Sequence, residues 1–227
     1  MKYQVVIPAR LASKRFPNKL LAKVNGFPVI GHAISYAPNP IVVCSESDLQ
    51  KLSEILYRLK TPFYCILCSP RNADIRCGTD RIASVIDLID DANLIINLQG
   101  DNILYPPDIF NRLAAFAESK MKWGNFIATV VTRQEGGVRA NLIKDSNIVT
   151  GFSRQSGEFH HCGIYCYPKS TLKMFYQMEK NTRIERRTHL EQLRWLNFPK
   201  SIFAMIDDGQ WYDINTPQDI EDFERKF

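Results

Sequence analysis

Short runs of Val, Ile and Leu alternate along the chain with longer segments whose apolar residues recur at helical spacing. Residues 4–7, 41–44, 63–68 and 94–98 are brief apolar runs that read as buried strands. Between them, residues 48–59 place Leu49, Leu52, Ile55, Leu56 and Leu59 on one helical stripe, with Ser47 as a cap. Residues 80–89 do the same with Ile82, Val85, Ile86 and Ile89, capped by Thr79, and residues 27–37 and 108–117 also fit helices. Strand–helix alternation of this length implies right-handed crossovers and a mostly parallel sheet. The rhythm changes after residue 125. Residues 126–132, 142–144, 148–153 and 163–167 are strand-like, with Asp145-Ser146-Asn147 as turn chemistry between two of them. Helical patterns return at 170–178 and 185–196, a strand at 202–206, and Thr216-Pro217 opens a last helix with a cap and a first-turn proline. The pattern predicts one α/β domain over residues 1–227, doubly wound, with a β-rich excursion at about 126–170.

A length of 227 residues, with 45% hydrophobic and 23% charged residues, excludes a disordered chain, a collagen-like repeat and a coiled coil. No stretch approaches the ~18 uninterrupted apolar residues of a spanning helix. Pro8 and Arg10 interrupt the N-terminal segment before an apolar signal core forms, so a cytoplasmic protein without membrane contact is expected. The six cysteines include a Cys65-Ile-Leu-Cys68 pair, but on a strand this spacing sends the two thiols to opposite faces. Reduced core cysteines are expected rather than a metal or disulfide set.

The net charge of +5 is unevenly placed. Lys2, Arg10, Lys14, Arg15, Lys19 and Lys23 all precede the first acid, Glu46, so residues 1–45 carry +6 and the remainder −1. A nucleic-acid binder spreads its cations over a face or a long helix, and none is expected as a partner here. A single concentrated basic segment suits a compact anion such as a nucleotide phosphate tail, or simply forms a solvated edge. The cations lie in the loop after the first strand, where open α/β sheets bind ligands. That loop holds neither a G-x-G-x-x-G nor a G-x-x-x-x-G-K-[ST] sequence, so phosphate would be held by side-chain charge and exposed N–H groups. Asp101 ends a buried strand, where a carboxylate is costly unless it has a partner; it reads as a ligand for Mg²⁺ or as an ordinary turn residue.

The loop reads Pro8-Ala9-Arg10-x-x-Ser13-x-Arg15-x-Pro17-x-Lys19, which resembles the opening motif of the CMP-sugar-acid synthetases, closest to the 3-deoxy-manno-octulosonate (Kdo) cytidylyltransferases. Cys77-Gly78-Thr79-Asp80-Arg81, Asn97-Leu98-Gln99-Gly100-Asp101, Phe152-Ser153-Arg154, His161-Cys162-Gly163-Ile164-Tyr165, Glu191-Gln192-Leu193-Arg194 and Asn215-Thr216-Pro217-Gln218-Asp219 follow in family order, so the resemblance spans nearly the whole chain. It implies a three-layer, Rossmann-like nucleotidyltransferase fold with a homodimer built on the β-rich excursion. The implied reaction transfers CMP from CTP to a 2-keto-3-deoxy sugar acid, releasing pyrophosphate, for lipopolysaccharide biosynthesis. It further implies that Ala9, Arg10, Ser13, Arg15, Lys19, Gly78 and Arg81 bind the nucleotide, with Lys19 and Asp101 catalytic. Gln99, Arg154, His161 and Gln192 would face the acid, and Mg²⁺ would be held by Asp101 with either Asp213 or Asn215. By their residue types alone, His161 also fits a strand-edge histidine, Arg81 a surface helix residue and Asn215 a helix cap. The chain departs from the family at Asn102-Ile103, at Cys77 in place of Ser, at Thr188, and in the short segment between Arg154 and His161. The triphosphate half keeps its motif while the sugar-binding half is pruned, so the acceptor is expected to be Kdo or a Kdo-like acid, such as a modified Kdo, or another sugar acid. The alternatives are a sialic- or pseudaminic-type acid, or nucleotide binding without turnover.

Overall fold

The computed structural model describes residues 2–13, 15–59, 63, 65–90, 92–180, 183–196 and 202–227. Strand β1 (Tyr3–Pro8) leads through the basic loop into a 3₁₀ turn, Lys19–Leu21, and a hairpin of β2 (Lys23–Val24) and β3 (Phe27–Pro28). Then come α1 (Val29–Ser35), β4 (Ile41–Cys44), α2 (Glu46–Leu59), β5 (Cys65–Cys68), α3 (Gly78–Ala83), β6 (Leu94–Leu98), β7 (Asn102–Leu104) and α4 (Ile109–Glu118). The second half holds β8 (Ile127–Thr132), β9 (Arg139–Leu142), β10 (Val149–Ser153), β11 (Phe159–Pro168), α5 (Lys169–Gln177), α6 (Arg183–Thr188), α7 (Gln192–Trp195), β12 (Ile202–Ile206), β13 (Tyr212–Asp213) and α8 (Pro217–Lys226).

Among the described residues nine strands form one sheet. β5, β4, β1 and β6 run parallel in that spatial order; β11 is antiparallel to β6 and β8, and β12 returns parallel to β8. Helices cover both faces. Val5, Ile7, Ile30, Leu52, Leu113 and Phe223 pack on one side, and Val6, Ile82, Ile95, Leu172, Phe175 and Trp195 on the other. The fold is therefore a three-layer α/β arrangement. Val5–Ile7 of β1 and the whole of β6 are buried, which is why, Asn97 apart, they read as continuous apolar runs rather than alternating ones. The chain winds outward from β1 to β4 and β5, then returns to place β6 on the other side of β1. This reversal opens a crevice beyond the carboxyl ends of β1 and β6. β9 and β10 extend the far end of the sheet, where the β-rich excursion was expected.

Several elements differ from the pattern reading. The segment 27–37 opens as strand β3, because Asn25 and Gly26 both take positive φ (48° and 77°) and make a tight turn. The 80–89 stripe is helical only to Ala83, and the cap is the Cys77 sulfur accepting from the Asp80 N–H rather than Thr79. The 185–196 stripe is two helices, because His189 at φ 55° breaks it. The strand expected at 142–144 is β9, three residues earlier, and that at 163–167 is the C-terminal half of the longer β11. Tyr64 within the expected 63–68 strand, and Lys14 of the basic loop, lie outside the described residues. The described cysteines are all free thiols.

Candidate active site

The basic loop is anchored by its own backbone and by acids that the fold brings to it. Ala9 continues β1, donating its N–H to the Val43 carbonyl at 2.7 Å, and the Ser13 and Asn18 N–H groups both return to the Leu11 carbonyl. The Ala9 N–H is thus taken by the sheet and is not free to meet a base. Leu11 N–H donates to the Asp48 carboxylate of α2 at 3.2 Å. Asn18 at φ 55° turns the chain so that Lys19 starts the 3₁₀ turn, 9% exposed.

Lys19 Nζ forms a close ion pair with Asp101 Oδ2, joining the loop after β1 to the end of β6. The Asp101 carbonyl accepts from Ile214 N–H at 3.0 Å, which seats the Asp213–Asn215 segment beside it. Arg15 Nη2 donates to Asn215 Oδ1 at 3.1 Å, and the Asn215 amide in turn donates to the Asp213 carboxylate. Asp219 locks this turn, accepting the Asn215 and Thr216 N–H groups at 2.7 Å each. Lys19, Asp101, Arg15, Asn215 and Asp213 therefore share one cluster. Burial pushes the Asp213 carboxyl up, and the neighbouring Asp101 charge pushes it further, so two carboxylates crowd a poorly hydrated space. Both sequence candidates, Asp213 and Asn215, fall there.

Arg81 is 7% exposed at the end of α3. Burial lowers its guanidinium from its ordinary value, and although Asp48 opposes the change, Arg10 reinforces it. The buried Arg81 therefore stands near Asp48 and exposed Arg10 at the mouth of the crevice, and it is not a solvated surface residue. Gly78 makes room for the close approach of α3 to the end of β1, since a Cβ there would lie 3.1 Å from the Pro8 ring. Beside Arg81, a cavity of about 520 Å³ opens over the ends of β4 and β5, lined among others by Ser45, Ser47, Ser69 and Arg71. The Ser69 hydroxyl is buried there without a partner. The sequence reading placed none of these four in the site, because no charge run or motif spacing marks them; it took Ser47 only as a helix cap, and Ser47 lies inside α2, which begins at Glu46.

On the acid-binding side the placements divide. Gln99 follows β6, half-buried beside Gly163. Arg154 is exposed, tied to the Thr188 and His189 carbonyls at 3.2 and 3.4 Å. Partial burial lowers its pKa and Arg15 adds to the shift, which places it toward the basic loop. Gln192 opens α7, 7% exposed, with Oε1 unpartnered. His161 is a correction: it is 5% exposed in the sheet, its ring between Phe152 and Tyr165 at 5.1 and 5.2 Å. The Thr129 hydroxyl donates to the Ile164 carbonyl at 2.6 Å, so His161 must donate Nε2–H to Thr129 Oγ1 at 2.9 Å. Burial holds it neutral, with its pKa lowered to about 3, and a ring so enclosed is a core group rather than a contact for an acid.

The cytidylyltransferase family model matches residues 4–202. The chain belongs to the cytidylyltransferase family. It is 31% identical to a 3-deoxy-manno-octulosonate cytidylyltransferase of Methylorubrum populi, over 96% of this chain and 93% of that one. It is also 30% identical to an 8-amino-3,8-dideoxy-manno-octulosonate cytidylyltransferase of Shewanella frigidimarina, over 97% and 96%. A solved CMP:2-keto-3-deoxy-manno-octonic acid synthetase complexed with CTP has the same fold, with a TM-score of 0.82 at 22% identity over 100% of this chain and 98% of that one. The resemblance carried by the motifs is borne out, and in this cytidylyltransferase Arg15, Lys19, Asp101 and the Asp213–Asn215 turn meet beyond β1 and β6. No helix among the described residues is long and apolar enough to cross a membrane.

Proposed function

We propose that this cytidylyltransferase transfers CMP from CTP to Kdo or a Kdo-like sugar acid and releases pyrophosphate, a step of lipopolysaccharide biosynthesis. The observation that carries this reading is the meeting of the phosphate-suited loop, through Lys19 and Arg15, with Asp101 and the Asp213–Asn215 turn. The names of the relatives and of the CTP-complexed structure support the choice of nucleotide and acid. The acid's anomeric hydroxyl attacks the α-phosphorus in line with the departing pyrophosphate, so positioning and charge neutralisation carry the catalysis. Arg10, Arg15 and Lys19 neutralise the phosphate oxygens, Arg81 steadies the nucleotide, and Arg154 at the rim suits the acid's carboxylate.

A divalent ion fits the donor set. Asp101 and Asp213 offer carboxylate oxygens and Asn215 a carbonyl oxygen, and burial, with Asp101 adding to it, pushes the Asp213 carboxyl up. Among the described residues no three His, Cys, Asp or Glu side chains gather as a closed metal cage. That suits Mg²⁺, which takes one or two carboxylates and keeps its waters. Asp101 and Asp213 would hold it, since the Asn215 carbonyl oxygen is engaged by Arg15. When bound it would neutralise charge on the transferring phosphoryl group.

The deciding experiment is a pyrophosphate-release screen of sugar acids against CTP and the other nucleoside triphosphates. Release with CTP and Kdo-type acids is expected. Release only with sialic- or pseudaminic-type acids would move the acceptor, and CTP binding with no release would leave a nucleotide-binding protein. The β9–β10 ribbon, with Ile143 exposed beside it, supports a homodimer, which sedimentation equilibrium tests.

A further inference from the structure

Asp80 and Arg194 stand in two of the motifs, yet neither has a part in the reaction above. Both are buried, at 0% and 1% exposure. Arg194 Nη1 donates to Asp80 Oδ1 at 2.8 Å, and its Nε and Nη2 donate to Glu185 Oε1 at 3.0 and 2.7 Å. Its guanidinium lies 4.1 Å from the Phe175 ring centroid. Asp80 Oδ2 accepts the Arg76 N–H at 3.0 Å, so the carboxylate also fixes the turn that leads into α3. Beside this clamp the Thr79 hydroxyl and N–H both reach the Glu191 carboxylate, at 2.7 and 3.4 Å.

Three charges have been taken out of water here. A buried ion pair adds little net stability over apolar packing of the same volume, whereas its geometry is fixed by the fork of the guanidinium. What the clamp fixes is the relation between two parts of the site. Asp80 belongs to α3, which begins at Gly78 and carries Arg81. Arg194 belongs to α7, two residues after Gln192, and Glu185 to α6 beyond the break at His189. The clamp ties α6 and α7, of only six and four residues, to α3 alongside the Thr79–Glu191 contact.

We propose that Arg194 is a positioning residue: with Asp80 and Glu185 it holds the nucleotide turn and the Gln192 helix as one body, setting the acid's hydroxyl against the α-phosphorus. This rests on the function proposed above. Loss of alignment between two bound reactants lowers kcat much more than either affinity, and a displacement of about 1 Å can cost ~10²-fold.

The test compares the wild type with Arg194→Met, Arg194→Lys and Glu185→Gln, each shown to be folded by circular dichroism at the assay temperature. Arg194→Met is expected to lower kcat by about 10- to 100-fold with the CTP Kd within about threefold. Arg194→Lys, which reaches one carboxylate but cannot fork to both, should recover part of the loss. If Arg194→Met does not fold, Glu185→Gln keeps the Asp80 pair and should show the same split at smaller size. Hydrogen exchange supplies a readout independent of turnover. CTP should protect amides 76–83 and also 192–195 in the wild type, and in Arg194→Met only 76–83. Unchanged kcat in a folded Arg194→Met, or CTP protection that never extends to 192–195, overturns the clamp alone. No CTP protection at 76–83 in the wild type overturns the nucleotide assignment, and the clamp with it.

Discussion

Burial of His161 makes a quantitative statement about stability and pH. The ring is enclosed by Phe152, Tyr165 and Thr129, and its pKa falls from 6.5 to about 3. The unfolded chain binds a proton on this group near pH 6.5 and the folded chain does not, so stability from this residue is fully present above 6.5 and is lost as pH falls. The loss grows by about 1.4 kcal/mol per pH unit and is complete only at the folded pKa. At pH 5 it amounts to about 2 kcal/mol, a figure that holds for any folded pKa below about 4. Urea unfolding at pH 7 and pH 5, on the wild type and on His161→Gln, isolates the effect. Glutamine can still donate to Thr129 but does not titrate, so its pH 7-to-5 loss should be smaller than that of the wild type by about 2 kcal/mol. Equal losses in the two proteins, or a ring that titrates near 6.5 by NMR, would refute the burial argument and return His161 to the cleft.

Three further outcomes follow from the site. Asp101→Asn should lower turnover at least 10²-fold with an unchanged circular dichroism spectrum, and activity within threefold of wild type would remove Asp101 from the catalytic set. Arg15→Ala should raise the KM for CTP about tenfold, the value of one charged hydrogen bond, and leave the KM for the acid nearly unchanged; a rise in the acid's KM alone would place Arg15 on the other substrate. Chelation should stop pyrophosphate release and added Mg²⁺ should restore it, while full activity in a chelator would exclude Asp101 and Asp213 as a metal pair.

The parts of the fold that were legible in the sequence are those where burial alone decides the residue types. β4, β6 and β12 are apolar along their length apart from Asn97, and their ends match the pattern reading. The 80–89 stripe was read correctly as buried: Ile82, Val85, Ile86 and Ile89 are 0–4% exposed. Its backbone was not, because a turn and a short 3₁₀ segment can bury the same side chains as a helix. Asn25-Gly26 was a readable hairpin signal, and the apolar residues after it concealed it. His189 carried no such signal, since a positive φ at histidine is set by tertiary contacts. In the site, the loop cations and Asp101 were legible because charge needs an explanation wherever a strand ends. His161 was not, because β11 shifts register against β8 between His161 and Tyr165, with Gly163 at φ 71°, so alternation cannot be counted through it.

The electrostatics explain why the first 45 residues hold six cations and no acid. In the structure Lys19 and Arg15 are already engaged, one by Asp101 and the other by the Asn215–Asp213 pair, so these four charges roughly cancel. A triphosphate entering the crevice adds several negative charges to a place that has just reached neutrality. In the proposed function Arg10 at the loop and Arg81 on α3 would supply part of the compensation, and burial lowers the Arg81 pKa from its ordinary value. The two carboxylates impose the opposite demand, since Asp213 is driven toward its neutral form by burial and by Asp101. Under the proposed function, anionic and cationic demands side by side would be met together by a nucleotide triphosphate with a divalent ion, and by neither one alone. A sulfate-sized anion would meet only the arginines, and a lone cation only the aspartates.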